Sequence, residues 1–399
     1  MLSDESPGHA VRPLRVFIFY TGVGIIQRGI ESFARECFDN LRGLPGLEIE
    51  LFKGAGPEGP GEHRLWCVPR LHPVASVLGR ALGYTGFVVE AATGFLSFIR
   101  HLRARRPDVV FVPGGEMNLL LCHKARPWLR VPYRVLLSNG APEASPFPYA
   151  DHVQQLNPSL LEEGLRGGEP PGRQSLVPYG IRLPPGPPET LTPDALAAAR
   201  ARLELPTDRP VVLSVGWISC AHKRMDHVVE EVARIPAPRR PFLVLLGHQD
   251  AASPPVLALA RERLGPGGFA ARTVPLAEVE AYYRAADVFA LASVREAFGR
   301  VFLEALAAGL PCVANDHAIH RYVLGAEGTF VDMERPGALA DVLVALLADG
   351  PAQRAADVRA RRRESVRERF GWETLAPAYL EMFRRAAGWT GSLPGEGST

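Results

Sequence analysis

Residues Ser293–Pro311 read SVREAFGRVFLEALAAGLP, and the segments on either side of them are apolar. An apolar run at 286–292 precedes them and has the composition of a buried strand, and residues 311–314 have the composition of another. Between the two runs, residues 300–308 favour a helix, with Gly309 at the place of a helix-terminating glycine. The pattern therefore predicts a strand, a tight turn, a helix and a second strand.

Two carboxylates lie on either side of this turn, Glu296 before the helix and Glu304 one turn inside it. At the helix start, the amides of Gly299, Arg300 and Val301 lack intrahelical acceptors and lie at the positive end of the dipole, which favours a pyrophosphate. Glu304 is placed to accept the hydroxyls of a ribose, as acidic residues do in dinucleotide sites. The turn is predicted to bind a nucleoside diphosphate, with Glu296 beyond the phosphates, where a sugar would lie. A capped helix with two surface glutamates is the alternative.

The two glutamates stand in the pattern E-x-F-G-x-x-x-x-E-A-x-A-x-G-x-P, which includes Phe298. This pattern resembles the signature of the retaining GT-B glycosyltransferases of family GT4. The resemblance implies an α/β protein with two Rossmann-like, doubly wound parallel-sheet domains that face each other across a cleft. It also implies that the second domain holds the nucleotide-sugar donor.

Alternating strand and helix patterns in both halves of the chain predict parallel sheets with covering helices. Between the halves, residues 182–189 contain four prolines, which disfavour both helix and central strand, so we place the domain boundary near residue 184. By resemblance, the first domain binds the acceptor, the second binds the nucleotide sugar, and the last helix crosses back to brace the first. We expect an N-terminal domain, a C-terminal domain, a crossing helix and a disordered tail at 1–183, 184–369, 370–388 and 389–399.

Apolar periodicity gives the expected elements. Strands are expected in the first half at 15–20, 47–51, 64–68, 108–112, 133–138, 152–157 and 176–181, with helices that include 30–41 and 81–99. Strands are expected in the second half at 211–215, 242–246, 287–291, 311–314 and 329–331. Helices are expected there at 193–203, 225–234, 276–285, 300–308, 336–348, 352–369 and 372–387.

The loop after the strand at 211–215 carries further donor-site candidates. Gly216 ends the strand, and the segment that follows resembles the GT4 segment in which an arginine and then a lysine grip the diphosphate. Lys223 fits the lysine position, and we expect Arg224 to assist it; an ordinary solvated loop is the alternative. Trp217 stands where the family has the arginine. Gly247 ends the strand at 242–246, at the sheet edge where open α/β sheets bind ligands.

A glycine loop follows the first strand, and Gly24 is part of it. As a dinucleotide fingerprint it is incomplete because Gln27 stands where the third glycine belongs. By resemblance, the loop contacts the donor and acceptor, and Arg28 and Gly29 occupy the places of a glycine pair. Asn139 follows the strand at 133–138, where related enzymes have a histidine near the donor sugar; a plain Asn-Gly turn is the alternative.

Composition excludes several classes of protein. The chain has 399 residues, 45 basic and 43 acidic, and this near-balance gives no electrostatic reason to expect nucleic acid as a partner. The five cysteines are scattered and form no C-x-x-C, which argues against a zinc site and favours a reducing compartment. No D-x-D, P-loop or H-E-x-x-H motif is present, so we expect no metal and no resident cofactor.

The expected function is that of a metal-independent, hexosyl-type retaining glycosyltransferase. The donor is a nucleotide sugar, with UDP or GDP favoured, and the acceptor is a glycan, a lipid-linked group or a small molecule. Lys223 stabilises the leaving diphosphate, and Glu296 orients the donor sugar. Two alternatives stay open: another GT-B enzyme, such as a sugar-nucleotide epimerase or a phosphorylase, and a non-catalytic descendant that only binds nucleotide.

A membrane contact is also left open by the sequence. Residues 81–99 are apolar enough to raise the question of a membrane span, but Glu90 and three glycines interrupt them, so a buried helix is favoured. The basic residues at 100–106 follow directly, and such a helix end can rest on an anionic leaflet. The N-terminus is polar and has no secretory signal pattern, so we expect a cytoplasmic protein, with a peripheral contact on the inner membrane face as the alternative to an ordinary solvated helix.

Overall fold

The structure, a computed structural model, describes residues 12–26, 28–140, 145–186, 192–294 and 296–389. The chain divides into two compact units. The first contains the described residues up to Leu156, then Leu160–Gly180, and those from Leu375 onward. The second contains Asn157–Ser159 and Ile181–Thr374. Of the tail predicted at 389–399, only Trp389 lies within the described residues.

The first unit is built on a seven-stranded sheet in which every pairing is parallel. In spatial order the strands are β3 (Glu62–Arg64), β2 (Leu47–Lys53), β1 (Leu14–Phe19), β4 (Val109–Val112), β5 (Arg134–Ser138), β6 (His152–Gln155) and β7 (Gln174–Leu176). Buried aromatic side chains fill its core, and the rings of Phe19 and Phe98 stack with centroids 4.4 Å apart. The connecting helices are α1 (Gly29–Leu41), α2 (Pro73–Ala81), α3 (Gly86–Arg105), α4 (Glu116–Leu129) and α5 (Pro158–Arg166).

The helix predicted over 81–99 is present as α3, but it begins five residues later than expected. The structure ends α2 at Ala81 and begins α3 at Gly86, because Gly83 takes a positive φ of 74° and interrupts the helical path. Together α2 and α3 have the length and composition of a membrane span, but they are bent by 102°; among the described residues, no single helix has both properties. The strands expected at 64–68 and 176–181 are shifted, to 62–64 and 174–176.

The second unit repeats the plan with a six-stranded parallel sheet. In spatial order its strands are β10 (Phe269–Arg272), β9 (Phe242–Leu246), β8 (Val211–Val215), β11 (Val288–Leu291), β12 (Cys312–Asn315) and β13 (Gly328–Val331). Its helices are α6 (Pro193–Arg202), α7 (Met225–Arg234), α8 (Pro254–Leu264), α9 (Leu276–Ala285), α10 (Arg300–Ala307), α11 (Ala318–Leu324), α12 (Ala338–Ala348), α13 (Gly350–Gln353) and α14 (Ala356–Phe370). Two parallel sheets with connecting helices confirm the predicted fold class.

The strand order of this second sheet has one reversal, and it lies between β8 and β11. The chain runs outward from β8 through β9 to β10, then returns to β11 and runs outward on the other side. In open α/β sheets, ligands bind at the carboxyl ends of the strands at such a switch point. The loops that follow β8 and β11 are therefore the places to look for a site.

The last helix, α15 (Trp372–Ala387), contributes to the core of the first unit through its residues after Thr374. The buried hydroxyl of Tyr379 donates a hydrogen bond of 2.9 Å to the carbonyl oxygen of Pro178 and accepts one of 3.1 Å from the amide of Gln154. The ring of Phe383 packs edge-on against Phe111 of β4. This helix therefore fixes polar and apolar groups of the first sheet.

Candidate functional site

Lys223 and Glu296 form an ion pair at the switch point of the second sheet. Lys223 comes from the loop after β8, and Glu296 comes from the loop after β11. Both side chains are largely buried, 15% and 10% exposed, so their charges interact in a medium less polar than water. The two residues predicted to be catalytic lie 73 positions apart in the chain, and the structure brings them into contact.

Ser293, which sequence reasoning missed, orients Glu296. Its hydroxyl lies 2.7 Å from Oε1 of Glu296 and 3.0 Å from the carbonyl oxygen of His222. The amide of Val294 also donates to the carbonyl oxygen of His222, at 3.0 Å. These bonds join the two loops next to the ion pair, so the position of Glu296 is set by two neighbours. Burial, assisted by Lys223, lowers the pKa of His222.

Gly216 and Gly247 end adjacent strands of the sheet, and each has a positive φ, 152° and 153°. A Cβ on Gly247 would lie 1.7 Å from the carbonyl oxygen of Gly216, so only glycine fits there. A Cβ on Gly216 would lie 3.4 Å from Cε of Lys223, because the lysine stem crosses the end of β8. Close packing therefore requires glycine at position 247, whereas at position 216 glycine is favoured by its positive φ.

The turn before α10 has the predicted geometry. Gly299 is the N-cap residue with φ 80° and ψ 51°, and as a glycine it has no side chain with which to cap the helix. The first amides of the helix, those of Arg300 and Val301, lie at its positive end. Arg300 is itself buried, 8% exposed. The ring of Phe298 is buried and packs edge-on against Phe370, so only its backbone is available to a ligand.

The carboxylate of Glu304 is held by Tyr283, a residue the sequence did not single out. The Tyr283 hydroxyl, from α9, donates a hydrogen bond of 3.0 Å to Oε2 of Glu304. Burial raises the pKa of Tyr283 well above its usual range, and the negative charge of Glu304 adds to this effect. The hydroxyl therefore stays protonated and remains a donor to the carboxylate.

Arg224 follows Lys223 in sequence and makes contacts of its own. It is the N-cap of α7 with φ 48° and ψ 46°, and its Nε lies 3.3 Å from the carboxylate of Asp226. It also lines a cavity of about 340 Å³. Other residues of that cavity include His227, Glu231, Asn315 and Met333, and Arg224 is the one predicted site residue among them.

Trp217 occupies the place of the family's arginine and makes its own contacts. The indole Nε1 donates a hydrogen bond of 3.1 Å to Asp250, and the ring lies 5.8 Å from that of His222. The loop after β8 is thus held by an aromatic residue at a position where the family has a cation. Lys223 of the same loop contacts Glu296 at the switch point.

His320 on α11 is a second residue that sequence reasoning missed. Its Nδ1 lies 2.8 Å from the carbonyl oxygen of Asn315; since a carbonyl can only accept, Nδ1 carries the proton and Nε2 is an acceptor. Burial lowers the pKa of His320, and the charges of Glu296 and Lys223 act on it in opposite directions. Within the described residues its buried Nε2 has no hydrogen-bond partner. A neutral imidazole therefore lies within electrostatic reach of the ion pair.

The glycine loop of the first unit is tightly folded. Gly24 has φ 83°, and a Cβ there would lie 2.1 Å from the carbonyl oxygen of Ala55. Arg28 is the extended N-cap of α1 and is exposed, and Gly29, the first residue of the helix, has open space where a Cβ would be. Gln27, the departure from the dinucleotide fingerprint, lies outside the described residues. Glu31 is buried in the first turn of α1, and this burial raises its pKa.

Asn139 is not on an open turn. It is 2% exposed, and its side-chain amide donates a hydrogen bond of 3.0 Å to Oε1 of Gln155. Gln155 in turn donates to Gln174 at 2.7 Å. Asn139 thus belongs to a buried polar network of the first unit, and its predicted contact with a sugar stays a prediction. Within the part of the chain that the structure describes, no group of three or more His, Cys, Asp or Glu side chains is placed to hold a metal ion.

Comparison with known proteins finds a family match within the second unit. Residues 209–349 match the family model of the Glycosyl transferases group 1. The D-inositol 3-phosphate glycosyltransferase of Xylanimonas cellulosilytica is 38% identical over 230 residues, which are 54% of this chain and 52% of that protein. The enzyme of the same name from Mycobacterium tuberculosis is 33% identical over 229 residues, 55% of this chain and 45% of that protein. The chain spans about half the length of these curated relatives.

Solved structures match nearly the whole chain. A sucrose-phosphate synthase from Thermosynechococcus elongatus superposes with a TM-score of 0.74 at 22% identity, covering 94% of this chain and 99% of that one. Anabaena HepE, solved in complex with UDP-glucose, gives a TM-score of 0.68 at 14% identity, covering 92% and 98%. At such identities the likeness concerns the fold.

The two sheets and these matches define the chain as a protein of the GT-B fold, as the sequence predicted. Its segment 209–349, which carries Lys223, Glu296 and Glu304, matches the family model of the Glycosyl transferases group 1. The recognition made from the pattern around Glu296 and Glu304 is thereby confirmed.

Proposed function

We propose that this protein is a retaining glycosyltransferase that moves a hexosyl group from a nucleoside diphosphate sugar to an acceptor hydroxyl. The observation that carries the proposal is the contact between Lys223 and Glu296 at the switch point of the second sheet. It puts a cation and a carboxylate together at the edge where such sheets bind nucleotides. The family match of the same segment supports this reading.

The diphosphate would be held by charge and by the start of α10. Lys223 has three ammonium hydrogens, and within the described residues one hydrogen bond from it is recorded, to Glu296. Phosphate oxygens would take the others and approach the amides of Arg300 and Val301 at the positive helix end. Removal of one such preorganised donor typically costs about 10²–10³ in rate, so this charge stabilisation is the main catalytic term. In this proposal no metal or resident cofactor takes part.

Glu296 would bind hydroxyls of the donor sugar, with its orientation fixed by Ser293. Glu304 would accept the ribose hydroxyls, with its carboxylate fixed by Tyr283. The two carboxylates thus have binding roles. The acceptor hydroxyl would attack the anomeric carbon from the face of the leaving diphosphate and pass its proton to a phosphate oxygen, which retains the anomeric configuration.

The first test is thermal stability of the full chain with UDP, GDP, ADP or dTDP. Since the fold neighbour HepE was solved with UDP-glucose, UDP is the nucleotide we expect to bind. Ligand at about 100 times its dissociation constant adds about 2.7 kcal/mol to stability. For domains of this size that amounts to a shift of about 5 °C or more.

A shift with one nucleotide, lost in Glu304→Ala, supports the donor site. Incubation with the matching nucleotide sugars and candidate glycan, lipid-linked and small-molecule acceptors, followed by product analysis, then tests transfer. Epimerised donor without transfer to any acceptor would replace the proposal with the epimerase alternative. No shift with any nucleotide, and no product, would contradict the proposal.

A further inference from the structure

The exposed apolar side chains of this protein are concentrated in one segment of the first unit. Of the thirteen large hydrophobic residues exposed among the described residues, eight lie between positions 66 and 96. Their exposure ranges from 44% for Leu78 to 76% for Leu71. We call this set the α2 surface: Trp66, Leu71, Val74, Val77, Leu78, Leu82, Tyr84 and Leu96.

Helix α2 is oriented with its large residues outward. Ala75 and Gly79, both small, are its buried residues. A Cβ on Gly79 would lie 2.8 Å from the carbonyl oxygen of Tyr84, so the helix lies close against the start of α3. Val74, Val77 and Leu78 point the other way and are exposed. Ordinary surface helices bury their apolar stripe, so this face is made for contact with something outside the unit.

The segment is rigidly attached to the unit rather than loosely placed. Its extended part runs along α3: the amide of Trp66 donates to Ser97 at 3.1 Å, and that of Val68 donates to Thr93 at 3.0 Å. Arg70, just before α2, binds the fully buried Glu90 of α3, with Nη2 2.6 Å from Oε1. The exposure of the apolar side chains is therefore built into the fold.

The charge around the α2 surface is positive. No Asp or Glu occurs between Glu62 and Glu90 in the sequence, whereas Arg64, Arg70 and Arg80 do. On α3, Leu96 shares a face with Arg100 and Arg103, four and seven positions further on, and all three are exposed. Arg105, which the sequence grouped with this basic tail, instead pairs with the buried Glu50. The cations that remain lie beside apolar side chains.

We propose that the α2 surface docks the protein on an anionic lipid bilayer. Helices that lie in the membrane interface have apolar side chains on one face and basic side chains such as Arg beside them. Trp66 and Tyr84 are of the residue types enriched at the headgroup level, and Arg80, Arg100 and Arg103 would meet anionic phosphates. The segment between positions 62 and 90 carries arginines and no Asp or Glu, so its charge is complementary to that of anionic lipid.

The proposal is independent of the donor chemistry, because the α2 surface lies in the first unit and the donor residues lie in the second. It is tested by co-sedimentation of the full chain with vesicles of phosphatidylcholine, with or without phosphatidylglycerol. We expect binding to the anionic vesicles that weakens with salt, and little binding to the neutral ones. The double variant Val77→Glu/Leu78→Glu should reduce binding about tenfold or more.

Two further variants serve as a second test of the α2 surface and as a control. Leu96→Glu, on α3, should also weaken binding and covers the case in which the double variant fails to fold. Leu165→Glu, at an exposed leucine of α5 in the same unit, is the matched control and should bind as wild type does. Circular dichroism and thermal unfolding check that each variant folds.

Three outcomes would overturn the proposal. One is equal binding to neutral and anionic vesicles. The second is an equal loss of binding in the Leu165→Glu control. The third is a wild-type dimer in sedimentation equilibrium that Val77→Glu/Leu78→Glu converts to monomer, without vesicle binding; the α2 surface would then be an interface between copies of this chain.

Discussion

The hydroxyl of Tyr283 lies 3.0 Å from Oε2 of Glu304, which joins a buried tyrosine of α9 to the carboxylate predicted to bind ribose. A second contact of the same hydroxyl, 3.3 Å to the carbonyl oxygen of Val301, ties it to the first turn of α10. Tyr283 thus fixes both the carboxylate and the helix start that is proposed to bind the diphosphate. Its role is positioning, because no ligand atom needs to touch it.

Glu304→Ala is expected to weaken nucleotide binding about tenfold or more, since a hydrogen bond to a charged group is worth about 1.5–3 kcal/mol. Tyr283→Phe keeps the ring and removes only the orienting donor, so about threefold weaker binding is expected. Isothermal titration with the nucleotide identified above measures both. The matched control is Tyr282→Phe, because that hydroxyl accepts from Arg272 at 3.1 Å and does not touch Glu304. Unchanged affinity in Glu304→Ala would remove Glu304 from the site.

Lys223→Met is expected to lower kcat/KM about 10²–10³-fold, because it removes the cation that stabilises the leaving diphosphate. Glu296→Gln keeps the shape but loses the charge, and we expect a comparable loss. Because the two residues form one ion pair, the double variant should lose far less than the product of the single effects. Steady-state transfer assays measure all three. Lys124→Met, at an exposed lysine of α4, is the control; full activity in Lys223→Met would contradict the proposed role.

Arg224→Gly is expected to make the protein slightly more stable and to weaken nucleotide binding severalfold. Arg224 has a left-handed backbone, φ 48°, which costs about 1–2 kcal/mol for a residue with a Cβ, and glycine returns about half of this as chain entropy. Such strain is retained at functional sites. Denaturant unfolding and nucleotide titration measure the two effects.

Glu204→Gly is the matched control for this strain. Glu204 has φ 51°, its side chain is 86% exposed, and the residue lies outside the predicted donor set. It should show the gain in stability without a loss of affinity. If Arg224→Gly binds nucleotide as wild type does, Arg224 belongs to the neighbouring cavity and not to the donor site.

The sequence predicted the second unit well where an element is a continuous apolar run, as in β8 and β9, or has a clearly apolar face, as in α7. The bounds of β8, β9, α7 and α9 match the expectation from periodicity to the residue. Three elements were not predicted: β10, α8 and α11. β10 reads FAAR and is only partly buried, so it lacks the apolar run that marks a central strand. The helix expected at 352–369 is two helices, α13 and α14.

Part of the candidate site could likewise be predicted from the sequence, and part could not. The pattern from Glu296 to Glu304 is local, so its turn and helix could be predicted from the composition of residues 300–308 and the positions of Gly299 and Gly309. The partners that hold it are not local: Tyr283 is 21 positions from Glu304, and Lys223 is 73 positions from Glu296. Burial of Phe298 and Asn139 was also invisible, because it depends on Phe370 and Gln155, which other elements supply. Contacts of this kind are set by the tertiary fold.

Acid should destabilise the first unit through His152, which is 2% exposed and has Nε2 2.8 Å from the hydroxyl of Ser175. Burial lowers the pKa of His152 to about 4. The unfolded chain takes up a proton near pH 6.5, whereas the folded one does so only near pH 4, so stability is lost as pH falls through this window and is constant above it. The loss attributable to His152 is about 3 kcal/mol. Denaturant unfolding at about pH 7 and about pH 4.5 measures it. His152→Gln should flatten the dependence, whereas Ser175→Ala, which keeps the buried imidazole, should retain it; an unchanged slope in His152→Gln would show that another group is responsible.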